Sequence, residues 1–283
     1  MKKLTDSALL HEGTVPYITF PLLDDLGMVW HGFSTRLGGV STGIYESMNL
    51  DFRCNEPREN VTENYRRITG AMGIDMADLV LSAQTHTTNI RRMSRSDRGK
   101  GFTRLRDYTD VDGMITNEPG VALTGLFADC VPLLFVDPKN HAIALSHAGW
   151  KGTAGRIAEK TVKALTDEFG SLPENIFCVA GPSICKDCYE VSEDVASALT
   201  EAYQRELKAY PGIITEMGNG KFLADLQLAN TAALKSAGVP EENIAISGLC
   251  TSCMSSLLWS HRATAGKRGE MAAFIELRES FFS

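Results

Sequence analysis

Residues 126–156 read LFADCVPLLFVDPKNHAIALSHAGWKGTAGR, and the fold turns on this stretch. Two short apolar runs, 132–137 and 141–147, are rich in large aliphatic and β-branched residues, the composition of buried strands. Between them Asp137-Pro138-Lys139-Asn140 has Asp at the first position of a type I turn and Pro, with its fixed φ, at the second. With Asp137 and Asn140 flanking a two-residue loop, Cys130 stands directly opposite His147. Directly opposed residues share a face with Cβ atoms about 4.5–5.5 Å apart. That is within reach of one metal ion or of a thiolate–imidazole pair, and a one-residue slip would undo it. The glycine loop 149–155 then opens a helix expected over 155–169, with Ala158, Val162, Leu165 and Phe169 inward.

Outward from this core, 27–35 reads as a strand entering a glycine-rich turn at 36–43. Residues 58–72 form a helix with Val61, Tyr65, Ile68 and Met72 on one face and Gly73 just past its end. Further strands are expected at 79–84, leading to His86, and at 111–116 and 121–127, split by a turn at 117–120. The last third contains a faint internal echo: FGSLPENI, a strand FCVAG and Cys185-x-x-Cys188, then AGVPEENI, a strand AISG and Cys250-x-x-Cys253. Helices are expected at 192–210 and 223–237. No low-complexity linker divides the chain, which gives one domain over 1–283 with an N-terminal tail of about 15 residues. Strands and helices mix without strict βαβ alternation, so the class is α+β, with a mixed sheet or paired sheets rather than a doubly wound fold.

Seven cysteines, an odd number without a visible export signal, imply reduced thiols or metal ligands and a cytoplasmic setting. The net charge of −7 argues against nucleic acid or an anionic membrane surface as partner. No apolar run approaches the roughly 20 residues of a membrane span, and no segment specifies an oligomeric state.

Three residues sit where a catalytic metal would want them: His86 after a strand, Cys130 before one and His147 ending one. Catalytic zinc takes three protein ligands, keeps a fourth position open and brings a water's pKa to about 7. The bland alternative is a small buried thiol and a strand-capping histidine. The loop 149–155 suits an anion or simply a close strand-to-helix turn. Arg36 in its own turn is a second anion contact or a solvated side chain. Asp129 is a general base, a partner to a ligand or a turn residue. His261-Arg262 completes a substrate pocket or lies on the surface. The two CxxC pairs form a four-cysteine zinc site, at a separation much longer than in a zinc ribbon, or are four ordinary thiols.

The segments HGFSTRLGGVSTGIYESMNL, QTH at 84–86, VDGMIT, FADCVPLL, HAGWKGTAGR, GPSI…CYEV and CT…LLWSHR together resemble the YfiH-like family. That family is also labelled multicopper polyphenol oxidoreductase (laccase) and purine nucleoside phosphorylase. The resemblance runs from about His31 nearly to the chain's end. It implies an α-β-β-α sandwich of two packed mixed sheets flanked by helices, a fold once grouped with cysteine hydrolases. It implies His86, Cys130 and His147 as metal ligands and catalytic residues. Its activities are phosphorolysis of adenosine, inosine and methylthioadenosine, and deamination of adenosine. Arg36, Asn49, Lys151, His261 and Arg262 are the substrate-binding candidates, with nucleoside and phosphate as the small-molecule partners. Lys151 stands where the family commonly has Arg, a point charge in place of a fork.

Six histidines without a His-x-His pair do not suit a multicopper cluster; two imidazoles and a thiolate would suit a single copper given a weak axial Met. Zinc fits hydrolytic and phosphorolytic chemistry better. The rivals are a hydrolase, either thiol or zinc amide, using Cys130 and His147, a laccase-like copper oxidase, and a nonenzymatic metal-binding protein.

Overall fold

The structure, a computed structural model, describes residues 1–279. In chain order the strands are β1 (Lys2–Thr5), β2 (Ala8–His11), β3 (Tyr17–Thr19), β4 (Val29–Ser34), β5 (Leu79–Leu81), β6 (Ile90–Arg92), β7 (Gly113–Thr116) and β8 (Ala122–Phe127). They continue with β9 (Val131–Asp137), β10 (Ala142–Ala148), β11 (Phe177–Ala180), β12 (Glu190–Val191), β13 (Ile214–Gly218), β14 (Lys221–Ala224), β15 (Ile244–Ile246) and β16 (Met271–Leu277). The α-helices are α1 (Pro21–Asp24), α2 (Arg58–Met72), α3 (Trp150–Ala154), α4 (Ile157–Phe169), α5 (Glu193–Ala202) and α6 (Leu226–Ser236).

Two mixed sheets pack face to face. One runs β1-β2-β3-β4-β16-β8-β5, the other β15-β11-β9-β10-β7-β6. The pairs β5–β8, β11–β15 and β6–β7 are parallel and the remaining pairs within these two sheets antiparallel. Both faces of β9 and β10 are covered, which is why their sequence is continuously apolar instead of alternating. Leu134, Val136, Ile143 and Leu145 point into the inter-sheet core against Phe33, Leu123, Phe127 and Ile275. Leu133, Phe135, Ala142 and Ala144 point the other way, under α4, α5 and α6. Beyond the seven-stranded sheet, α2 lays Val61, Tyr65, Ile68 and Met72 on Leu79, Leu81, Ala272 and Phe274. The result is the α-β-β-α sandwich of the α+β class.

The central hairpin differs from its expected form by two positions. The loop between β9 and β10 has four residues, because Asp137 Oδ1 accepts from the backbone N–H of Lys139 (2.9 Å) and Asn140 (3.2 Å), and His141 then turns left-handed at φ 50°. Ala142 therefore pairs with Asp137 and His147 with Pro132. Side-chain direction repeats every two residues, so a displacement of two keeps the face. Cys130, one residue outside β9, lies diagonally across from His147 instead of directly opposite.

Other boundaries move as well. The helix expected over 155–169 starts earlier and is interrupted: α3 occupies the glycine loop, Arg156 is left-handed at φ 59°, and α4 begins at Ile157. Leu223 and Ala224, expected to be helical, belong to β14, which pairs with β12 and β13 in a small third sheet. The helix expected to reach 210 stops at Ala202 and continues as turns. Residues expected as an N-terminal tail form β1 and β2 at the edge of the seven-stranded sheet.

Glu276 on β16 is 6% exposed, on the same strand face as Ala272 and Phe274, and burial pushes its pKa up to about 7. An acid raised this way ionises later in the fold than in the unfolded chain. Its stabilising share is complete near pH 4.5 and lost as pH rises to 7, at roughly 1.4 kcal/mol per unit as an upper bound. Glu276→Gln should therefore raise the thermal midpoint relative to wild type at pH 8 and leave it nearly unchanged at pH 5, as read by calorimetry at both values.

Candidate metal centre

Asp112 builds the site. It is buried immediately ahead of β7, and its carboxylate accepts the backbone N–H groups of Thr85 (2.9 Å), His86 (3.0 Å) and Thr87 (3.0 Å) together with Thr87 Oγ1 (3.2 Å). These bonds wrap the loop after β5 around one anion and hold His86 in the left-handed region at φ 66°. Oδ1 also meets His147 Nδ1 at 2.8 Å, and the backbone N–H of His147 donates to Asp112 O at 2.8 Å. One carboxylate thus fixes two imidazoles. With Nδ1 committed to Asp112, the other ring nitrogen of His147 is the one left for a ligand.

The donor atoms of His86, Cys130 and His147 all lie within 4.8 Å of one another, and the two imidazoles meet edge to face at 4.8 Å. Gly149, where β10 gives way to α3, closes against them: a Cβ there would stand 2.9 Å from both Cys130 Sγ and His86 Cδ2. A thiolate and two imidazoles at this spacing suit a borderline-soft transition-metal ion with one position to spare.

Charge follows the geometry. Burial works against a Cys130 thiolate, but attraction to the His147 imidazolium, helped by hydrogen bonds from His147 and His86, brings its pKa down to about 7. Burial likewise opposes charge on His147, yet the Cys130 thiolate and then the Asp112 hydrogen bond raise it to about 10. Asp112, despite burial, is held at about 2 by His147 and the loop amides.

A small pocket opens on the three donors, lined by Arg53, Gln84, Leu126, Arg268 and Glu270. Arg268 pairs with Glu270 at 2.6 Å, and Arg53 lies 3.9 Å from the same carboxylate. Arg53, Gln84 and Leu126 are shared with an adjoining cleft of about 490 Å³ whose walls include Phe52, Arg58, Arg106 and Tyr108.

None of the five substrate-binding candidates lines the pocket on the triad. The Arg36 guanidinium donates to Ser255 O (2.7 Å) and Glu46 O (3.1 Å) and lies 3.7 Å over the Trp259 ring. Asn49 is fully buried, donating to Glu56 and Asp51 and accepting from the backbone of Asp51 and Glu270, so it props Glu270 from behind. Lys151 is exposed beside the Trp150 ring. His261 is exposed and packs on Gly266, while Arg262 donates to Cys188 O and Glu190 O. Asp129 is a brace: its carboxylate accepts from Thr251 Oγ1 (2.6 Å) and the Arg262 N–H (2.7 Å). Sequence reasoning missed Asp112, whose signal was an acid set into the apolar run VDGMIT. It also missed Arg53, Arg268 and Glu270, which sit in irregular segments with no motif of their own.

The two-sheet sandwich that carries this triad is shared with solved proteins of one family. The model described as "Multi-copper polyphenol oxidoreductase laccase" matches residues 30–278. The chain is 37% identical over 254 residues, 88% of each chain, to purine nucleoside phosphorylase YlmD of Bacillus subtilis (strain 168). It is 32% identical over 232 residues, 81% of this chain and 87% of the other, to adenosine deaminase RL5 of an unknown prokaryotic organism. The crystal structure of the hypothetical protein YfiH from Bacillus licheniformis superposes with a TM-score of 0.88 at 32% identity, covering 95% of this chain and 99% of that one. The chain belongs to the YfiH/laccase-like family.

In metal-free, reduced protein, alkylation of Cys130 by iodoacetamide, followed by peptide mass spectrometry across pH, should show an inflection near 7. Asp112→Asn removes the anion that supports the His147 imidazolium, so the inflection should move up toward the ordinary thiol value of about 8.5. An unmoved inflection would exclude the relay from Asp112 through His147 to Cys130.

Proposed function

We propose that the chain is a zinc-dependent purine nucleoside enzyme, phosphorolysing adenosine, inosine and methylthioadenosine and deaminating adenosine. The observation that carries this reading is the cluster of His86, Cys130 and His147 donors beneath Arg53, Arg268 and Glu270. Relatives named purine nucleoside phosphorylase and adenosine deaminase support it.

His86, Cys130 and His147 would hold the zinc, which when bound supplies a Lewis acid and an activated nucleophile at neutral pH. Asp112 orients His147 for that task and keeps its tautomer fixed. In phosphorolysis a phosphate oxygen bonds to the ribose C1′ as the C1′–purine bond breaks, and the purine leaves with a proton. Arg53 and Arg268 supply guanidinium forks suited to orienting phosphate. Arg268 Nε is buried with no acceptor among the described residues, which suits it to an anion. Glu270 holds the Arg268 head at 2.6 Å, while Asp51 holds that of Arg53 at 2.8 Å. The adjoining cleft has the size of a small-molecule site, and its aromatic walls suit a nucleobase. Among the described residues no helix is long and apolar enough to cross a membrane. We read the chain as one domain, since β16 lies between β4 and β8, and as cytoplasmic, since its seven cysteines are all free.

One observation favours a second reading. Cys130, His147 and Asp112 line up as nucleophile, base and orienting acid of a metal-free thiol hydrolase. Metal content separates the two: full activity of chelator-treated protein that is lost in Cys130→Ser would favour the thiol enzyme.

Zinc-loaded protein given adenosine should release adenine only when phosphate is present, and inosine with or without it. His147→Ala should lower both by roughly two orders of magnitude or more. Neither product from the wild type would sink the nucleoside assignment, with chromatography of the reaction mixture as the readout.

A further inference from the structure

We propose that Cys185, Cys188, Cys250 and Cys253 hold a second, structural zinc ion that ties together the loops bracing Cys130. The echo in the last third of the chain explains how they meet. β11 and β15 are parallel neighbours, with Cys178 opposite Ile244 and Ala180 opposite Ile246. Both chains leave the sheet in the same direction, and beyond it they stay side by side: the Ser183 N–H donates to Leu249 O (3.1 Å) and the Thr251 N–H to Ser183 O (3.1 Å). Each exit carries a CxxC, so the long sequence separation collapses to one cluster.

The four sulfurs lie within 4.8 Å of one another, with Cys188 Sγ and Cys253 Sγ 3.4 Å apart, and none is in a disulfide. A tetrahedral zinc with bonds of about 2.3 Å spaces its sulfurs about 3.8 Å apart. The loops also present donors to sulfur: Cys250 Sγ accepts the backbone N–H of Cys185 (3.3 Å) and of Cys253 (3.4 Å). Such bonds stabilise a thiolate and fix its direction. Four thiolates on one divalent ion leave a net negative charge. Lys186 lies between the first pair in sequence, and the Arg262 guanidinium reaches Cys188 O at 3.4 Å. Four protein ligands close the coordination sphere, the signature of a structural site.

The cluster braces the first site. Its loops supply the Ile184 N–H to Asp129 O (2.9 Å) and Thr251 Oγ1 to Asp129 Oδ1 (2.6 Å). Asp129 is left-handed at φ 86° and directly precedes Cys130. The second ion thus holds the backbone turn that presents the triad's thiol, without touching substrate.

The test is zinc counting and thiol protection on full-length protein kept reduced and saturated with zinc, then freed of excess by gel filtration. Wild type should carry one zinc beyond the triad's, and iodoacetamide with mass mapping should find Cys185, Cys188, Cys250 and Cys253 protected until a chelator is added. Cys130→Ala/His147→Ala should keep one zinc, and its cobalt form should keep the intense near-ultraviolet thiolate-to-metal absorption. Cys188→Ser/Cys253→Ser should lose that zinc and melt lower; if it does not fold, the triad variant and the wild-type protection map decide. A triad variant that retains no zinc, four thiols alkylated freely in zinc-saturated wild type, a Cys188–Cys253 disulfide in reduced protein, or iron in the four-sulfur site would each overturn the proposal. A protein with zinc on the four sulfurs and none on the triad would uphold it while removing the zinc nucleoside reading.

Discussion

A buried carboxylate that cannot stay unpaired governs this molecule. Stranding a charge such as that of Asp112 inside a protein costs several kcal/mol, a penalty offset only when its lone pairs are fully used. The partners that meet this demand are the amides of residues 85–87 and the His147 ring, so electrostatic necessity becomes loop conformation. A loop that would otherwise sample many states is drawn into one, with His86 facing His147. Carboxylate, imidazolium and thiolate then form a chain of alternating charge in which each member sustains the next.

The two sheets divide the labour at this point. Asp112, Cys130 and His147 come from the borders of strands in the six-stranded sheet, while Leu126, Arg268 and Glu270 come from β8 and the approach to β16 in the other. The donors therefore lie at one edge of the sandwich where the apolar filling between the sheets ends, with Phe127 packed 5.5 Å from His147 marking the transition. His147 sits on β10 and Cys130 directly before β9, His86 comes from the loop that Asp112 holds, and Arg53, Arg268 and Glu270 come from irregular segments.

Much of this was legible in the chain itself. The face shared by Cys130 and His147 follows from strand periodicity and survives a loop two residues longer than Asp137-Pro138-Lys139-Asn140 suggests, since the left-handed His141 is not a sequence signal. The internal echo placed two CxxC motifs at equivalent strand exits; that the strands are adjacent and parallel is a tertiary fact no local pattern carries. The loop around Lys151 reads as a glycine-rich turn, but its small residues coil into α3, which a left-handed Arg156 separates from α4. Arg53 and Arg268 were invisible for a plain reason. They lie far apart in sequence, in segments without periodicity, and converge only because β16 inserts beside β4.

That insertion has a bearing on how the protein is made. β16 bonds to β4 on one side and to β8 on the other, so without it the larger sheet is two unconnected pieces. Strands made early in translation must wait, edges unsatisfied, until the ribosome has released the segment around residue 277. Contacts of such long sequence separation form slowly, and exposed edges invite pairing with other chains in the interval. The β4 and β8 edges of the larger sheet thus stay unpaired until β16 arrives between them, and that sheet closes late relative to the strands that precede it.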